Sequence, residues 1–201
     1  MADDKKRFDI KPVERRTFLR YSLIGSIGAG LGGFGLASLG FLYPRTGDAL
    51  FGEVALGNAQ EIAAQVTAER TPLNVPEAGV VLQVWNASDS AAMGAYGEQH
   101  AILDDGSTGI MALYSKACPH LGCAVPWCQS SQWFECPCHG SRYNRYGEWT
   151  DGPAPRGLDR YSSTIDGDGN FVVNLSDFLT GPARTANVLE QSPEGPSCVD
   201  A

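Results

Sequence analysis

Histidine is scarce in this chain, with three in 201 residues, at positions 100, 120 and 139. Imidazole chemistry therefore has few places to occur. Positive charge is scarce from Arg45 onward, where eight basic residues face nineteen acidic ones. That balance, within a net charge of −8, excludes a nucleic-acid binder, which needs a basic face to neutralise phosphates. Charge of either sign is missing altogether from Tyr21 to Pro44. "NAQEIAAQVTAER" (58–70) has room for a helical turn or two; beyond it no long amphipathic helix is visible, and no internal repeat. Glycine and proline, by contrast, are plentiful at 24 and 12, favouring turns and loops.

The uncharged stretch, "YSLIGSIGAGLGGFGLASLGFLYP", is 24 residues long. As a helix it covers roughly 36 Å, enough for a hydrocarbon core of about 30 Å. Tyr21 and Tyr43 stand near its ends, where amphipathic rings favour the membrane interface. Residues 1–20 sum to +3, and the positive-inside rule leaves that end in the cytoplasm. The expected organisation is a cytoplasmic N-terminus (1–20), a transmembrane helix (21–43), a hinge linker (44–53) and an outer head domain (54–201). "ERRTFLR" (14–20) resembles a twin-arginine export signal, a route that moves folded proteins. The rivals are a cleaved signal peptide and a buried helix. "LYPRTGDAL" lacks a small-x-small cleavage site, so an uncleaved anchor is expected, single-pass in the cytoplasmic (inner) membrane with the head on the periplasmic side.

In the head, "GVVLQVW" (79–85), "GIMALYS" (109–115) and "NFVVNL" (170–175) read as strands, and "DGDGN" (166–170) as a hairpin turn. The fold class is mainly β, an antiparallel head behind one membrane helix. The tail from Thr180 reads as irregular.

Two hexapeptides hold most of the soft-ligand chemistry: "CPHLGC" (118–123) and "CPCHGS" (136–141). Cys118 and His120 lie two apart, Cys136 and His139 three apart, among loop formers, so both pairs can reach one centre from two loop tips. Two thiolates and two imidazoles suit zinc. They equally suit a [2Fe–2S] cluster with cysteines on one iron and histidines on the other, and spacing alone leaves both open. Cys123 and Cys138 are a further matched pair, and in an exported domain they suit a disulfide across the loops.

With "CPHLGC" and "CPCHGSRY", residues 115–155 resemble the Rieske iron–sulfur proteins of cytochrome bc complexes, the bc1 and b6f types. "GPAP" (152–155) resembles that family's proline loop, and "VPW" (125–127) is closer to the b6f-type and related bacterial proteins. The resemblance implies a small cluster-binding subdomain at about 112–155 within an antiparallel β head. It implies one [2Fe–2S] cluster held by Cys118, His120, Cys136 and His139, with Cys123 and Cys138 as the loop-linking disulfide. Ser141 and Tyr143 would donate hydrogen bonds to cluster and ligand sulfur. His120 and His139 would be the quinol-facing, proton-coupled ligands. The implied partners are quinol, a cytochrome b subunit and a c- or f-type cytochrome. Leu121 is either a tip that docks on cytochrome b or packing over the cluster. Pro119 departs from the family's usual threonine and removes a backbone N–H at the loop tip.

Two further readings belong to other classes: an exported electron-transfer subunit of an arsenite-oxidase-like enzyme, and a structural zinc module. Cys128 and Cys198 are either free thiols or a second disulfide pinning the tail. His100 is expected at the surface or in a loop. Trp127, Trp133, Phe134 and Trp149 are expected to pack around the site.

Overall fold

The computed structural model describes residues 13–42 and 52–199 in two units, divided between Arg45 and Thr46. The first unit is α1 (Arg15–Leu42). It begins six residues before the uncharged stretch, because no proline or glycine lies between Arg15 and Gly25 to stop it. Phe18, Leu23, Ile24, Ile27, Leu31, Phe34 and Leu39 are all exposed on it, so it is apolar all round. That is the pattern of a helix whose surroundings are hydrocarbon. Ser26 returns its hydroxyl to Ser22 O at 2.7 Å, as a hydroxyl in such surroundings must. The expected linker falls largely on residues 43–51, outside the described residues.

The second unit runs β1 (Glu53–Asn58), α2 (Ala59–Glu69), β2 (Leu73–Val75), β3 (Val80–Asn86), α3 (Ser90–Tyr96), β4 (Ala101–Ile102), β5 (Thr108–Tyr114), β6 (Trp127–Cys128), β7 (Trp133–Glu135), β8 (Arg142–Tyr143), β9 (Trp149–Asp151), β10 (Asp159–Ile165) and β11 (Asn170–Leu179). All pairings are antiparallel. The larger sheet has the order β1-β11-β10-β5-β3-β2, with β4 also on β5, and the smaller one β6-β7-β8-β9. α2 starts where Asn58 Oδ1 accepts from the amides of Gln60 and Glu61, and stops at Arg70, which is left-handed (φ 53°). α3 is a short helix with no counterpart in the sequence reading, started by the Asp89 carboxylate on the amides of Ala91 and Ala92. The turn at 166–170 is tied by Asp166, which accepts from the amides of Asp168 and Asn170, with Gly169 at φ 81°.

Alternation along the larger sheet divides the interior in two. On β5, Ile110 and Ala112 face one core with Leu82, Ile62, Val66 and Phe171. Met111 and Leu113 face the other, with Trp85, Phe134, Tyr143 and Leu158. The smaller sheet belongs to that second core. It is an excursion between two paired strands: the chain leaves β5 at Tyr114 and returns at Asp159, directly opposite. Residues 115–158 are thus presented as one subdomain on rigid neighbours. Residues 180–199 are largely irregular and cross this subdomain as a strap, with Val188 and Leu189 against its core.

Candidate metal centre

The two hexapeptides fold into two loops of the same construction. In the first, Cys118 N donates to Cys123 O at 2.7 Å and Gly122 N to Cys118 O at 2.8 Å. In the second, Cys136 N donates to Ser141 O at 2.8 Å and Gly140 N to Cys136 O at 3.1 Å. The fifth residue of each is a glycine with positive φ, 84° and 71°, which a side chain would strain. Neither bond uses the nitrogen of residue 119, so Pro119 breaks no hydrogen bond within its loop.

This construction buries Cys118 and Cys136 as free thiols and carries the histidines to the tips. His120 is half-buried, His139 is exposed, and their rings stand edge to face with centroids 4.9 Å apart. Cys123 and Cys138 are joined in a disulfide that staples the loops, with the Cys136 sulfur within 4.8 Å of both bonded sulfurs. Burial, and then the neighbouring Cys118, pushes the Cys136 thiol up. A bound metal reverses that preference, because it ligates the thiolate.

Polar groups surround the thiols. The Tyr143 hydroxyl lies 3.1 Å from the Cys118 sulfur, and burial followed by that sulfur holds the phenol well above its ordinary range. Ser141 is buried, and its hydroxyl oxygen accepts from Ala154 N at 3.0 Å, leaving its own proton free to donate. Ala154 belongs to the 152–155 loop, which lies so close on the second hexapeptide that a Cβ on Gly152 would stand 2.5 Å from Ser141 Cα. Leu121 projects from the first loop, 71% exposed. Phe134 packs edge to face on Trp127, and Trp149 donates its indole N–H to Gly152 O at 3.2 Å.

Cys128 and Cys198 are bonded to each other, so they are not free thiols. The expectation for His100 is overturned: it is buried, at 3% exposure, with both ring nitrogens unpartnered. Burial first, and then the nearby Arg160 guanidinium, lowers its pKa to about 3. Tyr96 and Arg160 pack about it, the guanidinium lying 4.3 Å over the Tyr96 ring.

Two carboxylates near the loops escaped the sequence reading. Glu135 and Glu148 are fully buried. Glu148 accepts from Tyr96 Oη and Asn144 Nδ2, both at 2.7 Å, and from the amides of Val188 and Leu189. Burial pushes the Glu135 carboxyl up, but hydrogen bonds from Ser131, Ser197 and the amides of Cys198 and Val199 outweigh it, so its pKa is lowered. Nothing in a local sequence pattern marks either residue, because apart from Ser131 and Asn144 the partners named are far along the chain.

Two buried thiols and two imidazoles at adjoining loop tips, with the Tyr143 hydroxyl beside the Cys118 sulfur, form a donor set that fits a [2Fe–2S] cluster. The Rieske [2Fe–2S] domain model matches residues 65–162. The cytochrome b6-f complex iron–sulfur subunit of Synechococcus sp. (strain JA-3-3Ab) is 35% identical over 170 residues, covering 84% of this chain and 91% of that one. Its counterpart from Nostoc punctiforme (strain ATCC 29133 / PCC 73102) is 30% identical, covering 91% and 98%. Among solved structures, the cyanobacterial plasma membrane Rieske protein PetC3 from Synechocystis PCC 6803 is 26% identical over 60% of this chain and 97% of that one, with a TM-score of 0.37. On its hexapeptide loops and its identity with these relatives over most of its length, the chain belongs to the Rieske [2Fe–2S] family.

Proposed function

We propose that the chain is the iron–sulfur subunit of a quinol–cytochrome oxidoreductase of the bc type, anchored by α1, with its head on the periplasmic side of the membrane. The names of its relatives, cytochrome b6-f complex iron–sulfur subunits, support membership of such a complex. The observation that carries the reading is the pair of equivalent loops that buries Cys118 and Cys136 and sets His120 and His139 together at the surface.

In this reading Cys118 and Cys136 hold one iron and His120 and His139 the other. When bound, the cluster supplies one-electron chemistry, at a potential raised by its imidazole ligands. The protein does the rest. His139, exposed at the loop tip, would meet the quinol hydroxyl and take its proton at a free ring nitrogen. The apolar Leu121 tip enters a partner surface on cytochrome b and excludes water there. The disulfide Cys123–Cys138 keeps the two loops in one geometry in both oxidation states. The Tyr143 hydroxyl, beside the Cys118 sulfur, and the unused hydroxyl proton of Ser141 would favour the more negative, reduced state. The electron then passes to a c- or f-type cytochrome by movement of the head on its tether.

The test is purification of the full chain from its native membrane in mild detergent. Copurification of a cytochrome b, two irons and two labile sulfides per chain, and quinol-dependent cytochrome reduction lost in His139→Ala are the expected results. Zinc without iron would sink the reading.

A further inference from the structure

The strap over the cluster-binding subdomain is built, not loose. Three carboxylates stitch it. Glu148 takes the amides of Val188 and Leu189. Glu194, on the strap, pairs with Arg145 of the subdomain and Arg70 at the end of α2. Glu135 takes the strap's end: Oε2 accepts from Ser197 Oγ at 2.7 Å, Cys198 N at 2.7 Å and Val199 N at 3.1 Å, while Oε1 accepts from Ser131 Oγ at 2.6 Å. The Cys128–Cys198 disulfide closes the same spot, its sulfurs within 4.8 Å of the Glu135 carboxylate. Between the stitches Gly195 passes so near Ser130 that a Cβ would stand 2.7 Å from its carbonyl oxygen.

Glu135 ends β7, and the next residue is Cys136. Side chains alternate along an extended strand, so the thiol and the carboxylate leave opposite faces of one backbone segment. That segment is held on both sides, by Glu135 N on Pro126 O at 3.0 Å and by Cys136 N on Ser141 O at 2.8 Å. We propose that Glu135 is a positioning residue for Cys136, and that the C-terminal strap it grips sets the reduction potential of the centre. The inference rests on the cluster reading above. Its physical content is electrostatic as well as mechanical. A buried carboxylate one residue from a ligand opposes the negative charge that reduction adds. The hydroxyl and amide dipoles of residues 197–199 offset that field.

The two parts have opposite signs, which separates them from plain loosening. Glu135→Gln removes the anion and raises the potential, by about tenfold in the reduction equilibrium, or about 59 mV for one electron. Ser197→Ala keeps the anion and removes one of its dipoles, so it lowers the potential by about two- to threefold in that equilibrium. The experiment is a redox titration of both variants and the parent, as full-length cluster-loaded protein in detergent, followed by EPR. Hydrogen exchange of the Cys198 and Val199 amides is read alongside and does not depend on iron; Glu135→Gln is expected to lose protection there. If Glu135→Gln does not retain a cluster, the sign in Ser197→Ala decides. Unchanged potentials with intact clusters, or shifts of the same sign in both variants, overturn the proposal. A parent without iron overturns the cluster reading instead, and protected strap amides in that same sample would show which of the two had failed.

Discussion

Single side chains decide the chemistry expected of the loops. Tyr143 Oη lies 3.1 Å from the Cys118 sulfur and Ser141 has a hydroxyl proton that Ala154 does not use; in the proposed reading both are donors to a site that gains negative charge on reduction. A hydrogen bond to a charged acceptor is worth roughly 1.5–3 kcal/mol, and only its difference between the two oxidation states moves the potential. Tyr143→Phe and Ser141→Ala are therefore expected to keep the cluster and lower the midpoint potential by some tens of millivolts, about 59 mV being tenfold for one electron. A redox titration checks this, and unchanged potentials in both would remove the hydroxyls from the cluster's surroundings. His100 makes a prediction of another kind. Its folded-state pKa is about 3 against 6.5 in the unfolded chain. Below pH 6.5 the unfolded state takes up a proton that the folded state refuses until about pH 3, so stability falls as the pH drops through that window. The loss between pH 7 and pH 5 is about 2 kcal/mol, and His100→Leu should flatten it in denaturant titrations at the two pH values. The two residue types differ in legibility. Ser141 and Tyr143 sit inside a patterned motif. His100 lies in "GEQHAILDD", and its burial comes from β10, through Ser163 N on Gln99 O and through Arg160, far along the chain.

Among the elements, those with strong local signals were legible. β3, β5 and β11 fall within a residue or so of the apolar runs at 79–85, 109–115 and 170–175, except that β11 runs on to Leu179. α2 fills Ala59–Glu69, longer than the turn or two expected there, because Asn58 starts it and Arg70 ends it. The short strands β6 to β9 carried no signal, because two or three residues form a sheet only when the surrounding loops hold them. The hexapeptide loops supply that support through matched hydrogen bonds and one disulfide across a separation of 15 residues. Loop-closure entropy makes such a link worth about 3 kcal/mol, and the 70-residue span of Cys128–Cys198 about 4 kcal/mol. Replacing Cys123 and Cys138 together by serine should lower the denaturant midpoint and release the cluster before the head unfolds, because the staple joins the two loop tips. Replacing Cys128 and Cys198 should cost comparable stability but spare the cluster's visible spectrum. Loss of the spectrum in parallel from both pairs would place the two disulfides in one role. The sequence left Cys128 and Cys198 open because nothing near position 198 indicates that Glu135 gathers the strap's end.

At the scale of the whole molecule the chain divides into α1 and the head. The head keeps its two cores on either side of one sheet, whose strands pair with one another. α1 has no such support. It contains Gly25, Gly28, Gly30, Gly32, Gly33, Gly35 and Gly40, none of which would bring an added Cβ within 4 Å of another group. Each glycine costs roughly 0.8–1 kcal/mol relative to alanine in a helix exposed to water, so in water this segment has little reason to stay helical. In hydrocarbon the balance reverses, because an unpaired backbone amide costs several kcal/mol and the helix pairs them all internally. The segment is thus helical where it is buried in lipid, and its exposed leucines, isoleucines and phenylalanines then need no protein partner. The expected outcome is that the mature protein retains α1 and stays with membranes washed at high pH. Leu31→Asp places a charge near the middle of the span, at a cost of about 3 kcal/mol on insertion. It should release part of the protein from washed membranes with the head's spectrum unchanged. Mass measurement of the mature chain completes the test: an N-terminus beyond residue 37 would mean that the segment is a removed signal and that the head is held by its partners alone.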